Sequence, residues 1–220
     1  MKKPSCVAVV DLDHTLTRHD TFVLYLLGFL AWHPWRFLRC LHLPLMVILF
    51  SLGKLDNARL KQQFLQAVLG GTHRSDLDRW TGKFLNRLIP RGISRQGLAV
   101  LEQHRQAGDV LILLTASVDC YAIELGRRLG FDEVICTKTE WQEERLSGNL
   151  AGPNVRGEEK VRSLLELKTR FRDARIIAYA DHQSDLPLLR LADQGILVNA
   201  KPKVMDLASR ECLVYQVWKD

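Results

Sequence analysis

Two aspartates and a threonine stand close together near the start of the chain, in the stretch Asp11-Leu12-Asp13-His14-Thr15. They lie at the end of the run 6–12, which predicts a buried central strand. Where a strand ends, the bend into a loop can aim both carboxylates at one ligand. Carboxylates this close repel unless a cation neutralises them, so Mg²⁺ is the natural partner. One carboxylate could then attack phosphorus while the other handles the proton, although a strand end with a capped turn fits the same pattern.

Two further stretches favour phosphate binding. Thr115-Ala116-Ser117 follows the apolar residues 111–114 (LILL) and precedes a helical pattern. A hydroxyl group and backbone N–H groups at a helix N-terminus form an anion site. In the alternative interpretation, Ser117 only caps the helix. Lys160 stands at a predicted helix start, where a cation opposes the helix dipole and a bound phosphate would compensate. Its alternative is a solvated surface lysine.

A second pair of acids, Asp181 and Asp185, follows the apolar run 175–180. A carboxylate at the carboxyl end of a strand can complete an oxygen-rich Mg²⁺ shell. Asp185 could bind the metal through water or hold the loop. Alternatively, it belongs to the N-terminus of the next helix, where an acidic side chain is favourable.

Strands and helices alternate through most of the chain, which predicts a doubly wound, Rossmann-like parallel α/β sheet with its site at the carboxyl ends of the strands. The predicted strands are 6–12, 109–115, 132–136, 175–180 and 196–199, and the helices between them are 94–106, 118–129, 158–170 and 184–191. A helical stretch interrupts this rhythm, with pieces near 20–31, 35–52, 56–69 and 76–89. We therefore predict a core of residues 1–16 and 91–220, and an all-helical cap of residues 17–90 above the sheet's carboxyl edge.

The order of these signals resembles the four motifs of the haloacid-dehalogenase-like phosphohydrolase superfamily. The matching residues are, in order, Asp11, Asp13 and Thr15; Thr115; Lys160; Asp181 and Asp185. The resemblance covers essentially the whole chain. The helical insertion after the first motif, and the segment 146–157 leading into Lys160, are typical of the phosphoserine-phosphatase-like subgroup of that superfamily.

The resemblance implies a role for each motif residue. Asp11 would be the nucleophile that forms an aspartyl-phosphate, and Asp13 would protonate the leaving oxygen and later activate water. Thr115, the backbone of Ala116 and Lys160 would hold the phosphoryl oxygens. Mg²⁺ would sit on the Asp11 carboxylate, the Asp13 backbone carbonyl and Asp181, with Thr15 and Asp185 in support. His14 and Ala180 stand where the family usually has glycine, and neither removes a required functional group.

Charge and apolar residues are concentrated in the predicted cap region. The chain carries a net charge of +6, and residues 17–100 hold twelve Lys and Arg against four Asp and no Glu. The cap also has two very apolar runs, 22–32 and 43–52. Each is shorter than the ~20 residues that span a bilayer. Three interpretations are open for these runs. They could be two buried cap helices or a true membrane span. They could also form an interfacial element, with the lipid headgroups contacted by Trp32, Trp35, Arg36 and Arg39.

The cap would also decide which phosphate ester is bound. Phosphoserine phosphatases carry a glutamate where this chain has Asp20, and a cap arginine at a position that an ungapped count from Gly53-Lys54-Leu55 places at Gln62. Arg59 is the nearby candidate. The greasy, basic cap resembles in pattern the C-type phosphatidylglycerophosphate phosphatases. A lipid phosphate and a small metabolite such as phosphoserine or histidinol phosphate are therefore both open as substrates, and a non-enzymatic membrane-binding or regulatory protein is a third hypothesis.

The remaining expectations concern compartment and partners. The five cysteines, Cys6, Cys40, Cys120, Cys136 and Cys212, are widely spaced and odd in number, so we expect no disulfide framework or zinc site and a reducing interior. No secretory signal is apparent. We expect a cytoplasmic protein, peripheral on the inner face of the membrane if the cap contacts lipid. No nucleic-acid-binding motif accompanies the positive charge, so no nucleic-acid partner is expected, and the oligomeric state is left open.

Overall fold

Six parallel strands form the central sheet, in the spatial order β3-β2-β1-β6-β7-β8. The computed structural model describes residues 4–202, 204–205 and 213–218, so Cys212 lies outside the described residues. The strands are β1 Cys6–Val10, β2 Val110–Val118, β3 Glu133–Thr137, β4 Thr139–Gln142, β5 Arg145–Leu150, β6 Arg175–Ala180, β7 Gln194–Val198 and β8 Val214–Gln216. The α-helices are α1 Thr21–Trp32, α2 Leu43–Ser51, α3 Asn57–Val68, α4 Arg74–Gly92, α5 Arg95–Ala107, α6 Asp119–Arg128, α7 Glu158–Arg170 and α8 Leu186–Leu191. The predicted α/β fold class is confirmed.

The strand β1 lies in the middle of the sheet because both of its faces are apolar. Val7 and Val9 pack into the hydrophobic cluster on one face, whereas Ala8 and Val10 pack into the cluster on the other. All four side chains are buried. Successive side chains of a strand point to opposite faces, so an uninterrupted apolar run fits a strand covered on both sides.

The strand β2 continues past its predicted end at residue 115. Its register with β3 shifts between Thr115 and Val118, so an irregularity lies at the carboxyl end of the strand. The antiparallel β4–β5 hairpin and the edge strand β8 were not predicted from the sequence. The hairpin carries few consecutive apolar residues, which explains why an apolar-run criterion misses it.

The four helices α1–α4 form the cap, but the predicted single helix 35–52 is wrong. A 3-10 segment, Pro34–Cys40, comes first, and α2 begins at Leu43. Pro44 stands in the first turn of α2, and a proline there has no N–H with which to continue a preceding helix. The last helix, α4, extends beyond its predicted end at residue 89 to Gly92, with Pro90 in its last turn.

Residues 16–18 and 92–94 run side by side where the chain passes between core and cap. Thr17 pairs with Ile93 in an antiparallel bridge, the Arg18 N–H donates to the Gly92 carbonyl at 3.2 Å, and the Ser94 N–H donates to the Leu16 carbonyl at 2.8 Å. Cap and core also meet through aromatic rings, since Tyr25 of α1 lies 4.7 Å from Tyr121 of α6, centroid to centroid. These contacts hold the cap over the carboxyl edge of the sheet.

Candidate active site

The loop after β1 turns sharply just beyond Asp11. The Asp11 N–H still donates to the Tyr179 carbonyl of β6 at 2.9 Å, so Asp11 is fixed by the sheet. His14 then adopts a left-handed backbone with φ 61°. That conformation costs a non-glycine residue roughly 1–2 kcal/mol, which explains why glycine is frequent at this position. The turn leaves the His14 side chain exposed beside the site.

Asp11, Lys160 and Asp185 form a buried charge cluster. The Lys160 Nζ donates to Asp11 Oδ1 at 2.7 Å and to Asp185 Oδ2 at 2.9 Å, and all three side chains are buried. Burial raises the pKa of Asp11 to about 7, although Lys160 opposes the rise. Burial lowers the pKa of Lys160, but the two carboxylates outweigh it and the pKa is raised. Lys160 therefore stays cationic and is not the solvated lysine of the plainer interpretation.

Asp181 adds a third carboxylate at the end of β6. Burial raises its pKa to about 6, and the charge of Asp185 raises it further while His14 lowers it. Thr15 Oγ1 donates to Asp181 Oδ1 at 3.4 Å. Lys160 thus forms ion pairs with two of the three carboxylates and none with Asp181. The remaining negative charge and the all-oxygen donor set fit Mg²⁺. Asp11 and Asp181 would hold the ion together with the Asp13 backbone carbonyl.

Asp13 is hydrogen-bonded on both carboxyl oxygens. Its Oδ1 accepts from the Thr21 N–H at 2.7 Å and from Thr21 Oγ1 at 2.6 Å, and its Oδ2 accepts from Ser117 Oγ at 2.7 Å. Burial and the charge of Asp20 raise the pKa of Asp13, whereas these hydrogen bonds lower it, and the net direction is upward. A carboxyl with a raised pKa can keep the proton that a leaving oxygen needs.

The hydrogen-bond network around Asp13 was not predicted: Thr21 and Ser117 contact Asp13, and Tyr121 contacts both of them. Tyr121 Oη donates to Ser117 Oγ at 2.8 Å and lies 2.9 Å from Thr21 Oγ1. Ser117 therefore does not cap α6, whose N-terminus has no side-chain cap. The three residues are spread over α1, β2 and α6, so no local sequence spacing signals that they meet.

Thr115 lies beneath the floor of the site. Its side chain is buried, and its Oγ1 accepts from the Ser117 N–H at 3.0 Å. The residues of this loop that line the cavity are Ala116 and Ser117. Thr115 thus fixes the loop that carries Ala116 next to the charge cluster.

The two predicted cap residues have different surroundings. Asp20 lines the cavity and caps α1, since its Oδ1 accepts from the Val23 N–H at 3.0 Å. The structure does not bring Arg59 to the site, because its side chain is 72% exposed and pairs with Asp56. Gln62, where the ungapped count placed the cap arginine, instead accepts from the Leu150 N–H at 3.1 Å.

The basic cap residue that does line the site is Lys61. It is buried, and its Nζ donates to the Ala116 carbonyl and to Asn154 Oδ1, both at 2.5 Å. Burial lowers the pKa of Lys61 to about 8. Sequence reasoning missed it because the count from Gly53 ended one residue later.

A cavity of about 880 Å³ extends from these residues into the cap. Its polar end is formed by the carboxylates and lysines described above. Its other walls are apolar and come mainly from the cap: Phe22, Val23, Leu26, Leu27, Leu30, Phe37, Cys40, Leu41, Leu43, Pro44, Val47, Leu60, Phe64 and Val68. The site therefore joins a charged pocket to an apolar channel.

A second polar cluster lies away from the cavity. Cys6, His104 and Asp109 bring their ligand-type atoms within 4.8 Å of one another. His104 Nδ1 lies 2.8 Å from Asp109 and its Nε2 lies 2.8 Å from Tyr179 Oη, so both ring nitrogens have partners. Burial raises the pKa of the Cys6 thiol to about 11. The cluster is a satisfied hydrogen-bond network.

The charged site lies at the carboxyl ends of parallel strands and is covered by a helical cap. This arrangement is typical of an enzyme that binds its substrate between a core and a cap. The chain belongs to the haloacid dehalogenase-like hydrolase family, whose sequence profile matches residues 8–190. This confirms the predicted superfamily and makes the protein a hydrolase.

Several known proteins are similar to the chain. Protein CicA of Caulobacter vibrioides is 29% identical over 189 residues, which cover 84% of this chain and 82% of that protein. The crystal structure of a protein from Bordetella pertussis Tohama I matches with a TM-score of 0.83 at 23% identity, covering 97% and 98% of the two chains. A substrate-bound phosphoserine phosphatase matches with a TM-score of 0.69 at 14% identity, covering 99% and 95%. The last two likenesses concern the fold, and the second agrees with a phosphoserine-phosphatase-like architecture.

Proposed function

We propose that the protein is a Mg²⁺-dependent phosphatase that hydrolyses a lipid phosphomonoester, such as phosphatidylglycerophosphate, through an aspartyl-phosphate on Asp11. The single observation that carries the lipid substrate is the apolar cavity, which begins at Asp11 and extends between the cap helices. Its volume is large for a small zwitterion, whose polar groups would be left against apolar walls. Acyl chains would bury apolar surface there.

The chemistry follows from the positions of two carboxyl groups. An Asp11 carboxylate oxygen attacks phosphorus, the bond from phosphorus to the ester oxygen breaks, and the Asp13 carboxyl gives its proton to that oxygen. Asp13, now ionised, takes a proton from water as the water oxygen attacks phosphorus. The bond from phosphorus to Asp11 then breaks, and orthophosphate and the free carboxylate are released.

The other residues bind and neutralise the phosphoryl group. Lys160 supplies a fixed positive charge, and the loop held by Thr115 presents the backbone of Ala116. When bound to Asp11, Asp181 and the Asp13 carbonyl, Mg²⁺ would neutralise phosphoryl oxygens. Phosphoryl transfer depends mainly on such positioning and charge stabilisation. Asp185 supports the arrangement by holding Lys160 at 2.9 Å.

Peripheral contact of the cap with the membrane is part of this proposal. Twelve of the seventeen most exposed large apolar side chains among the described residues lie within residues 23–52. We call these twelve the apolar face: Val23, Leu24, Leu27, Trp35, Phe37, Leu38, Leu41, Leu45, Val47, Ile48, Phe50 and Leu52. Five of them also line the cavity, so the cavity opens onto the apolar face. A lipid could pass from a bilayer to Asp11 along this route, with the protein on the inner face of the membrane.

The mode of contact would be peripheral. Among the described residues, the structure contains no helix with the length and apolarity needed to cross a bilayer. The apolar face would enter only the interfacial region, as amphipathic elements do. The net positive charge of the cap would favour an anionic surface.

A small phosphate ester is the second candidate. It is favoured by the likeness in fold to phosphoserine phosphatase with its substrate bound. Two observations argue against phosphoserine itself. Asp20, which stands where phosphoserine phosphatases have glutamate, caps α1. In addition, no arginine is found among the described cap residues that line the cavity.

An assay with matched substrates tests the proposal. Purified protein with Mg²⁺ is given phosphatidylglycerophosphate in mixed micelles, and in parallel phosphoserine and histidinol phosphate, with Asp11→Asn as the blank. We expect kcat/KM for the lipid to exceed both small esters by at least about 100-fold, since each buried methylene contributes about 0.8 kcal/mol. A preference for a small ester would overturn the lipid substrate, and Mg²⁺-independent or absent hydrolysis would overturn the enzymatic proposal.

A further inference from the structure

Two buried lysines line the cavity, and they differ in how their charge is balanced. Lys160 contacts two carboxylates. Lys61, on α3, forms no ion pair with a described carboxylate, and its two acceptors are the neutral oxygens of Ala116 and Asn154. Burying a cation is costly unless an anion compensates it. Asp13 and Asp20 favour its charged form from beyond ion-pair distance, but burial still lowers the pKa of Lys61. Lys61 therefore lacks a described carboxylate in direct contact with its charge.

The contacts of Lys61 point to a role beyond linking cap and core. The Thr137 hydroxyl lies within hydrogen-bond distance of the same two acceptors, 2.8 Å from the Ala116 carbonyl and 3.1 Å from Asn154 Oδ1, and its one hydrogen can serve either. Asn57, one helical turn before Lys61, also joins the cap to Asn154, through a bond of 2.9 Å from Asn154 Nδ2. A neutral residue would serve these contacts as well, so they do not explain a buried positive charge.

The location of Lys61 identifies what would balance the charge. Its Nζ lies against Ala116, in the loop that faces the charge cluster, and it is the only cationic side chain among the described cap residues that line the cavity. An ammonium group has three N–H donors, and the two contacts use two of them. An anion in the cavity could accept from the third.

We propose that Lys61 is a substrate-binding residue whose ammonium group pairs with an oxyanion of the phosphate ester in the cavity. This inference rests on the proposed function and extends it to the cap. The oxyanion belongs either to the phosphoryl group that is transferred or to a phosphodiester beside it. Either way, the substrate would balance a cap charge, so that binding also draws the cap onto the core.

The test compares variants that separate charge from structure. Lys61→Gln removes the charge but keeps an amide donor, and Lys61→Arg restores the charge. Asn57→Ala breaks the neighbouring contact with Asn154 without changing charge. Lys54→Met removes a lysine that is exposed on the cap and lies outside the cavity lining.

Three water-soluble substrates separate the sources of the oxyanion. They are p-nitrophenyl phosphate, short-chain phosphatidic acid, and short-chain phosphatidylglycerophosphate, of which only the last adds a phosphodiester. We expect Lys61→Gln to lower kcat/KM by about 10- to 100-fold, as for a lost charge-assisted hydrogen bond. Lys61→Arg should recover part of the loss, Asn57→Ala should lose less than Lys61→Gln, and Lys54→Met should match the wild type.

Each outcome decides the inference. An equal loss on all three substrates assigns the oxyanion to the transferred phosphoryl group, and a loss confined to phosphatidylglycerophosphate assigns it to the phosphodiester. Unchanged kinetics in Lys61→Gln, or equal losses in Lys61→Gln and Asn57→Ala, would overturn it in favour of a structural link.

Binding of orthophosphate gives a readout that needs no turnover. Titration calorimetry with Mg²⁺ should show weaker orthophosphate binding in Lys61→Gln than in Lys54→Met if the phosphoryl group is the partner. Equal binding, combined with unchanged kinetics, would overturn the inference. If the wild type hydrolyses none of the substrates but binds orthophosphate through Lys61, the proposed activity fails while the binding role stands.

Discussion

At the scale of single residues, folding removes the active-site carboxylates from water and so disfavours their charged form. Lys160 pairs with Asp11 and Asp185, and burial raises the pKa of Asp11 to about 7 and of Asp181 to about 6. In an unfolded chain the Asp11 carboxyl would titrate near its ordinary value of 3.8. The Asp11 carboxyl therefore binds its proton more tightly in the folded protein than in the unfolded chain.

This difference predicts how the metal-free protein responds to pH. Because the folded pKa of Asp11 is the higher one, ionisation of Asp11 removes stability as the pH rises from about 4 to about 7. In EDTA at pH 8, Asp11→Asn should therefore melt about 2–4 °C above the wild type, and the difference should shrink as the pH falls toward 4. Differential scanning calorimetry at several pH values checks this.

Mg²⁺ provides the control for that experiment. Adding it at pH 8 should raise the Tm of the wild type more than that of Asp11→Asn, because a metal ligand has been lost. A variant that melts below the wild type in EDTA at pH 8 would contradict the electrostatic account of the site.

The motif residues were predictable because each of them follows a recognisable strand or begins a helix. Asp11 and Asp181 terminate apolar runs, and Lys160 lies in the first turn of α7. Thr21, Tyr121 and Lys61 were not predictable in this way. They reach the site through the packing of cap against core, and a single sequence shows no periodicity for contacts between distant elements.

At the scale of elements, two arginines donate hydrogen bonds to backbone carbonyls at the C-terminal end of the cap helix α3. Arg36 donates to the carbonyls of Val68 and Gly70 at 2.8 and 3.0 Å, and Arg39 donates to those of Gln66 and Gly70 at 2.6 and 3.0 Å. The last carbonyls of a helix need donors, and cations there also suit the helix dipole. Both guanidinium groups bind α3, which differs from the interpretation that had them face lipid headgroups.

The closing role of Arg36 predicts a loss of stability. Arg36→Met leaves the Val68 carbonyl without a charged donor and removes one of the two charged donors to Gly70. It should lower the free energy of unfolding by about 1–3 kcal/mol, as measured by urea denaturation. Arg59→Met is the matched control on α3. Its exposed pair with Asp56 is worth less than about 1 kcal/mol. Equal effects of the two substitutions would show that the carbonyl contacts of Arg36 do not stabilise the cap.

At the scale of the whole molecule, the cap has two apolar sides. One side packs on the core, where the rings of Tyr25 and Phe84 contact Tyr121 of α6, and the other is the apolar face. The alternation of strands and helices predicted the core well, because both faces of a doubly wound sheet are buried. The same criterion could not tell a buried cap run from an exposed one, because α1 and α2 are apolar all round and show no preferred side.

The apolar face gives the last prediction. Leu38 and Ile48 are 73% and 54% exposed and lie outside the cavity lining. If the face enters a bilayer, replacing both with serine removes about 3–6 kcal/mol of apolar burial at most. Flotation with vesicles of phosphatidylglycerol and phosphatidylcholine should then show at least about 10-fold weaker binding, while hydrolysis of p-nitrophenyl phosphate stays unchanged.

Matched substitutions on the core separate this effect from a general loss of apolar surface. Ile123 and Leu165 are 45% and 49% exposed on α6 and α7, away from the apolar face. Replacing both with serine should leave vesicle binding at the wild-type level. Equal binding by the wild type and both double variants would mean that the apolar face does not meet the membrane. Sedimentation of the wild type as a dimer that Leu38→Ser and Ile48→Ser dissociate would instead assign the face to a second copy of the chain.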